Sequence, residues 1–318
     1  MTGNDKMNKH SPIKPPASLL ERANEIYDFG AALRGPALPP VQPQVAPQPD
    51  PVPAAPVVAP FAPAPMAPAP RGKSDRFAHI DRERLRAGNM IDPDGPVTGL
   101  SEEFRIVKRQ LLLAARGGKG LDPIDRGERI LICSAHPNEG KTFCAINLAL
   151  SMATEKDNRV LLVDADFAKP SVLARLGIPG SPGLMDALAD PSVDAEEYVI
   201  ATDIPGLSIL PAGAQTNQDT EYLAASRTAE VLDRLTAHDP ARIIIFDSPP
   251  ALAASPASVL ALQVGQTVVV VQADVTTDSA LRDALSLLAG CEHIQLMLNK
   301  AKFSPTGRKF GNYYGYGA

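Results

Sequence analysis

Residues 134–142 read Ser-Ala-His-Pro-Asn-Glu-Gly-Lys-Thr, and they constrain this chain more than any other stretch. A short apolar run, Ile130-Leu131-Ile132-Cys133, precedes them, and a helix-like segment from Phe143 to Ala153 follows. Strand, loop ending in Gly-Lys-Thr, then helix is the setting of a phosphate-binding P-loop. Successive backbone N–H groups of such a loop and of the helix N-terminus converge on phosphate oxygens. The candidate nucleotide contacts are Ala135, Pro137, Asn138, Glu139, Gly140, Lys141, Thr142 and Phe143. In this chemistry Lys141 reaches the β- and γ-phosphates and the Thr142 hydroxyl binds Mg²⁺. Ala135 stands where the plain motif has its first glycine. The competing reading is a strand-to-helix turn with a surface lysine.

The rest of the sequence decides between them. From Arg129 onward, apolar runs at 130–133, 160–163, 207–210, 243–246, 267–271 and 294–298 alternate with helix-like segments at 143–154, 220–237, 255–262 and 278–290. Near-continuous apolar strands are buried on both faces. The expected fold is therefore α/β of the P-loop NTPase type, a mainly parallel sheet flanked by helices on both faces. Ligands of such sheets sit at the C-terminal strand ends, and polar residues occur there. Val160–Val163 runs into Asp164-Ala165-Asp166, Ile243–Phe246 runs into Asp247-Ser248-Pro249-Pro250, and the last strand ends in Asn299-Lys300. A carboxylate directly after a buried strand is suited to orient Mg²⁺. Thr142, Asp164 and Asp247 are the candidate metal set, and Lys141, Asp164 and Asp166 the candidate catalytic set. Asp166 is the candidate base for an incoming hydroxyl. For a lone Asp in this position the alternative is a helix cap. Asn299 either reads the adenine edge or serves as a loop asparagine.

The flanks differ in kind. Ala17 to Leu33 repeats Leu19, Leu20, Ala23, Ile26 and Tyr27 at helical spacing, as a docking helix or a weakly ordered terminus. From Pro36 to Pro70 proline dominates and Asp50 is the one charge, which reads as an extended tether. The expected organisation is an N-terminal segment at 1–35, a linker at 36–75, a nucleotide-binding domain at 76–303 and a tail at 304–318. Phe77, Ile80 and Leu85 are expected to pack on the domain edge. Ser101 to Ala115 reads as a helix with Ser101 as N-cap, Phe104, Val107, Leu111 and Ala114 on one face, and Glu102, Arg105 and Lys108/Arg109 off it. That charged flank is either solvated or a subunit contact. A net charge of −5 gives no global signal for nucleic acid. No apolar run is long enough to span a membrane, and three scattered cysteines suggest a reducing compartment. The expectation is a soluble cytoplasmic protein.

Three of the six tyrosines, Tyr313, Tyr314 and Tyr316, fall in the glycine-spaced C-terminus. They are either a sticky tail or mobile phosphoacceptors, since a phenol needs a base and an electrophilic phosphorus. Here the chain resembles the bacterial tyrosine kinases, which work through a P-loop. The resemblance runs from about Gly99 to Ala318. It rests on the loop at 134–142, on Val-Asp-Ala-Asp-Phe-Ala-Lys-Pro at 163–170, on Leu-Pro-Ala-Gly at 210–213, on Ile-Phe-Asp-Ser-Pro-Pro at 245–250 and on the tyrosine tail. The helix at 102–109 looks like the family's Glu-x-x-Arg-x-x-Arg oligomerisation motif, with Lys108 in the last place. The proline-rich tether and Ser-Leu-Leu-Glu-Arg-Ala at 18–23 look like the branch tied to exosortase-linked exopolysaccharide clusters. The sequence departs from the family at Asn138, in place of a loop glycine, and at Ala168, in place of a basic residue.

The resemblance implies that ATP, with Mg²⁺, donates its γ-phosphoryl to the tail tyrosines of a neighbouring subunit within a ring. It also implies a membrane activator of the chain-length-determinant type, placing the kinase peripherally at the inner membrane to regulate exopolysaccharide polymerisation and export. Two rivals stand beside it. One is an ATPase switch like the septum-site and partition proteins, against which counts the absence of a lysine between Arg129 and Lys141. The other is a nucleotide-gated adaptor of a polysaccharide export complex that acts by binding alone.

Overall fold

The computed structural model describes residues 76–118 and 120–302. In chain order the elements are β1 (Phe77–Ala78), α1 (Arg82–Ala87), α2 (Gly99–Arg116), β2 (Arg129–Ser134), α3 (Lys141–Ala153), β3 (Arg159–Asp164), α4 (Val172–Leu176), α5 (Leu184–Ala189), a 3-10 turn (Ala195–Tyr198), β4 (Ile200–Thr202), β5 (Leu207–Leu210), α6 (Asp219–Ala224), α7 (Ser226–His238), β6 (Arg242–Asp247), α8 (Pro256–Ala261), β7 (Gln266–Gln272), α9 (Asp278–Leu287) and β8 (Ile294–Asn299). The strands form one 8-stranded sheet in the order β1-β4-β5-β3-β6-β2-β7-β8. The pairs from β5 to β8 are all parallel, whereas β4 runs antiparallel to β5.

Two apolar layers explain the unbroken hydrophobic strands. Ile130, Ile132, Val160, Leu162, Ile243 and Ile245 point to the side covered by α2, α3 and α4. Leu131, Leu161, Val163, Ile244 and Phe246 point to the side covered by α5, α7, α8 and α9. Period-2 alternation thus buries both faces of each central strand. The six predicted strands are all present. The edge strands β1 and β4 are too short to leave a pattern.

Two helix expectations and one packing expectation change in detail. The segment 220–237 is two helices, broken at Ala225, whose ψ of 151° is extended. α2 starts at Gly99, and Thr98 is its N-cap: the Thr98 hydroxyl accepts from Ser101 N while the Ser101 hydroxyl accepts from Thr98 N. Ser101 is therefore the returning partner of a capping box, not the cap itself. On the domain edge Ile80 and Leu85 are buried as expected, but Phe77 is 58% exposed. Among the described residues no helix is long and apolar enough to cross a membrane. The segments at 17–33, 36–70 and 304–318, with Tyr313, Tyr314 and Tyr316, lie outside the described residues.

Candidate functional site

The loop between β2 and α3 takes the shape the motif requires. β2 is buried throughout and fixes the loop's start, and α3 begins at Lys141. Two loop residues are left-handed, Asn138 at φ 65° and Gly140 at φ 105°. Asparagine is among the few residues that adopt this conformation readily, so Asn138 can stand in for glycine. Gly140 has a second reason to be glycine, because a Cβ there would lie 2.1 Å from Asn299 Nδ2.

Side chains around the loop brace it from within. Glu139 is 2% exposed, and its carboxylate accepts from His136 N at 2.9 Å and from the Thr276 hydroxyl. Asn299 Nδ2 donates to Glu139 O at 2.8 Å. Lys300 Nζ donates to Asn138 O at 2.6 Å and to Gln272 Oε1 at 3.1 Å. Asn299, read either as an adenine reader or as a loop asparagine, thus spends an amide hydrogen on the loop backbone. Thr276 and Gln272 escaped the sequence reading because they sit at and just after the end of β7 and belong to no motif. Phe143 and Asn299 also line a groove of about 430 Å³ between α2 and β8.

The carboxylates at the strand ends have three different environments. Asp166 Oδ2 accepts from Lys141 Nζ at 2.8 Å, and Oδ1 accepts from Lys169 N at 3.2 Å. Asp164 is occupied: Oδ2 accepts from Ser171 N and Val172 N, both at 2.9 Å, and Oδ1 from Asp166 N at 3.3 Å. It holds the entry to α4 and shapes the loop that carries Asp166. These bonds fill the helix-cap role that the sequence offered as the alternative for such an Asp. Burial pushes its carboxyl up to about 6, against the pull of those backbone donors.

Asp247 is the opposite case. It is fully buried, and neither oxygen meets a donor at full hydrogen-bond geometry, although the Thr142 hydroxyl lies near enough to favour its ionised form. Burial pushes the carboxyl up to about 7; Lys141 and Thr142 pull it down, and Asp164 and Asp166 push it up. A buried anionic oxygen without a partner calls for a cation. Mg²⁺ is commonly held by one or two carboxylates together with substrate phosphates, so Asp247 and the Thr142 hydroxyl fit that ion.

Of the charged flank of α2, Lys108 is not on the surface. It is 5% exposed, and its Nζ donates to Ser151 O at 2.7 Å and Thr154 Oγ1 at 3.2 Å and pairs with Glu155 at 3.0 Å. Its long stem turns under α2 and places the ammonium on the C-terminal turn of α3, where a cation is favoured. Of the oligomerisation motif read at Glu102, Arg105 and Lys108, the last member is therefore turned inward in the single chain. Arg105 and Glu102 pair with each other on the outside of α2.

A mainly parallel sheet with a braced Gly-Lys-Thr loop, a lysine on one strand-end carboxylate and a second carboxylate left bare defines a P-loop nucleotide-binding protein. The family model described as an AAA domain matches residues 128–301. The tyrosine-protein kinase YwqD of Bacillus subtilis is 30% identical over 231 residues, which is 71% of this chain and 91% of YwqD. The tyrosine-protein kinase Wzc of Salmonella typhimurium is 28% identical over 189 residues, and the match spans 26% of its length. The solved VpsO kinase domain is 30% identical, with a TM-score of 0.53 over 63% of this chain and 96% of that domain. The chain belongs to the bacterial tyrosine kinase family, within the P-loop AAA domain class.

Proposed function

We propose that the chain is an ATP-dependent protein-tyrosine autokinase whose acceptors are Tyr313, Tyr314 and Tyr316 of a neighbouring subunit. The observation that carries this reading is the pairing of Lys141 with Asp166 beside the bare, buried Asp247. The relatives' names supply the substrate class.

The loop amides from Asn138 to Thr142 and the N-terminus of α3 position the phosphates of ATP. Lys141 turns from Asp166 to the β- and γ-phosphates. Asp166, so released, accepts the proton of the tyrosine hydroxyl. The phenolic oxygen bonds to the γ-phosphorus as the bond to the bridging oxygen breaks, leaving ADP and phosphotyrosine. Mg²⁺, when bound by Thr142 and Asp247, neutralises charge on the phosphates. Asp164 keeps the Asp166 loop in place. Such catalysis is positioning and electrostatics more than covalent chemistry.

The wider reading follows the resemblance. The kinase assembles into a ring, docks at the cytoplasmic side of the inner membrane through a chain-length-determinant-type partner, and regulates exopolysaccharide polymerisation and export. It belongs to the exosortase-linked branch. Purified full-length protein incubated with γ-labelled ATP and Mg²⁺ tests the core of this. Label on the last six residues, lost in Lys141→Met, is the expected result. Free phosphate with unlabelled protein would make the chain an ATPase switch. Nucleotide binding with neither would make it an adaptor.

A further inference from the structure

A second cavity, of about 290 Å³, opens between the tips of β3 and β5. Its walls are mostly apolar, from Leu173, Ala174, Ile178, Pro211 and Ala212, and Asp164 is the one charged residue among them. The volume lies just under the ~300–1,000 Å³ usual for pockets that enclose a whole small molecule. One flat side chain with a polar tip suits it better than a nucleotide. Its position gives it meaning: Pro170 and Ser171 on its rim end the same loop that carries Asp166, and Asp166 N bonds to Asp164.

We infer that this cavity seats an aromatic side chain of the acceptor segment of a second copy, next to the tyrosine whose hydroxyl meets Asp166. The inference rests on the tyrosine-kinase reading and adds how the acceptor is chosen. Tyr313-Tyr314-Gly315-Tyr316 carries three phenols within four residues. An extended peptide presents residues i and i+2 on one face, spaced by ~6–7 Å. A chain that offers Tyr314 to Asp166 therefore offers Tyr316 to the cavity, across Gly315, whose lack of a side chain lets the backbone lie close. The phenol ring packs against Leu173, Ile178 and Pro211. Its hydroxyl donates to Asp164 Oδ1, which carries a single 3.3 Å bond from Asp166 N. Clustered tyrosines are then substrates for one another's docking, and a lone tyrosine is a poor acceptor.

The test uses full-length protein and synthetic acceptor peptides spanning residues 304–318. Ala174→Phe fills the cavity from an exposed position on α4. Gly180→Leu fills it from a residue with ordinary φ and open space around its would-be Cβ. In each, the KM for the peptide should rise about tenfold, with kcat and the affinity for ATP within about twofold of wild type. A Tyr316→Ala peptide should show the same rise with wild-type enzyme and no further rise with the filled variants. Unchanged peptide KM in both variants, with ATP affinity intact, overturns the docking site. Equal use of the Tyr316→Ala peptide by wild type does so too. If wild-type enzyme labels neither its tail nor any peptide on tyrosine, it is the kinase reading that fails, and the docking site with it.

Discussion

Lys141 Nζ lies 2.8 Å from Asp166 Oδ2, and both side chains are largely withdrawn from solvent. The lysine that must meet the phosphates is thus already held by the carboxylate proposed to take the phenol's proton. ATP has to compete for it. Asp166→Asn removes the competing charge and also the repulsion between Asp166 and the γ-phosphate. Nucleotide affinity should tighten by about tenfold, on the scale of one charge-assisted hydrogen bond of ~1.5–3 kcal/mol. Autophosphorylation should fall by about 10²–10⁴-fold, the range for loss of a general base. A fluorescent ATP analogue and a phosphotyrosine time course measure the two. Weaker binding with an unchanged rate would remove Asp166 from both roles.

The bond between the Glu139 carboxylate and Thr276 predicts a different signature. Glu139 sits inside the anion-binding loop, and its charge is answered by His136 N and the Thr276 hydroxyl. Glu139→Ala leaves both donors bare and frees the loop from the β7–α9 turn. We expect the KM for ATP to rise by about 10–100-fold, corresponding to ~1.5–3 kcal/mol for bonds to a charged group, with a smaller effect on kcat. Thr276→Val should reproduce part of that rise. Steady-state kinetics at saturating acceptor would decide it; a pure kcat effect would mean Glu139 acts on chemistry and not on loop order.

What was legible in the sequence was whatever one short stretch could encode. β2, the loop and α3 are contiguous, so their pattern announced the P-loop, and Asp247 followed because a buried strand ended in a charge. What stayed hidden depended on elements distant in sequence. Lys108 reads as surface by its charge and helical position, yet the C-terminal turn of α3 lies within reach of its stem. Asp-Ala-Asp suggests different roles for Asp164 and Asp166, but only the return of the chain at Ser171 and Val172 shows what holds the Asp164 carboxylate. The bracing by Thr276, Asn299 and Lys300 arises from β7 lying beside β2 with β8 next beyond it, a neighbourhood that no local pattern records.

The burial of Lys108 separates stability from assembly on α2. Lys108→Met strips Ser151 O and Thr154 Oγ1 of a buried donor and leaves Glu155 without its cation. A loss of about 1–3 kcal/mol is expected, seen as a lower Tm. Arg105→Glu changes only the exposed Glu102–Arg105 pair, and such pairs contribute ~0–1 kcal/mol. It should leave Tm nearly unchanged while reducing the oligomer seen by light scattering, if that face joins subunits. Loss of oligomer in Lys108→Met at full stability would return Lys108 to the interface.

The unpartnered Asp247 makes the stability of the metal-free protein depend on pH in a defined direction. Its folded carboxyl titrates at about 7, raised from 3.8 by burial. The folded state therefore holds a proton that the unfolded chain has released between those values, and stability falls as pH rises through that window. Below about pH 4 the contribution is fully retained, and above about pH 7 it is lost. At ~1.4 kcal/mol per unit the loss approaches ~4 kcal/mol as an upper figure. Asp247→Asn cannot titrate, so whatever its constant offset, its stability relative to wild type should climb from pH 4 to 7 and then level. Urea denaturation in the presence of a chelator, repeated across that range, measures the gap. A gap that stays flat would mean that Asp247 is ionised in the fold throughout, held by a donor close at hand, and Thr142 would be the first residue to substitute in search of it.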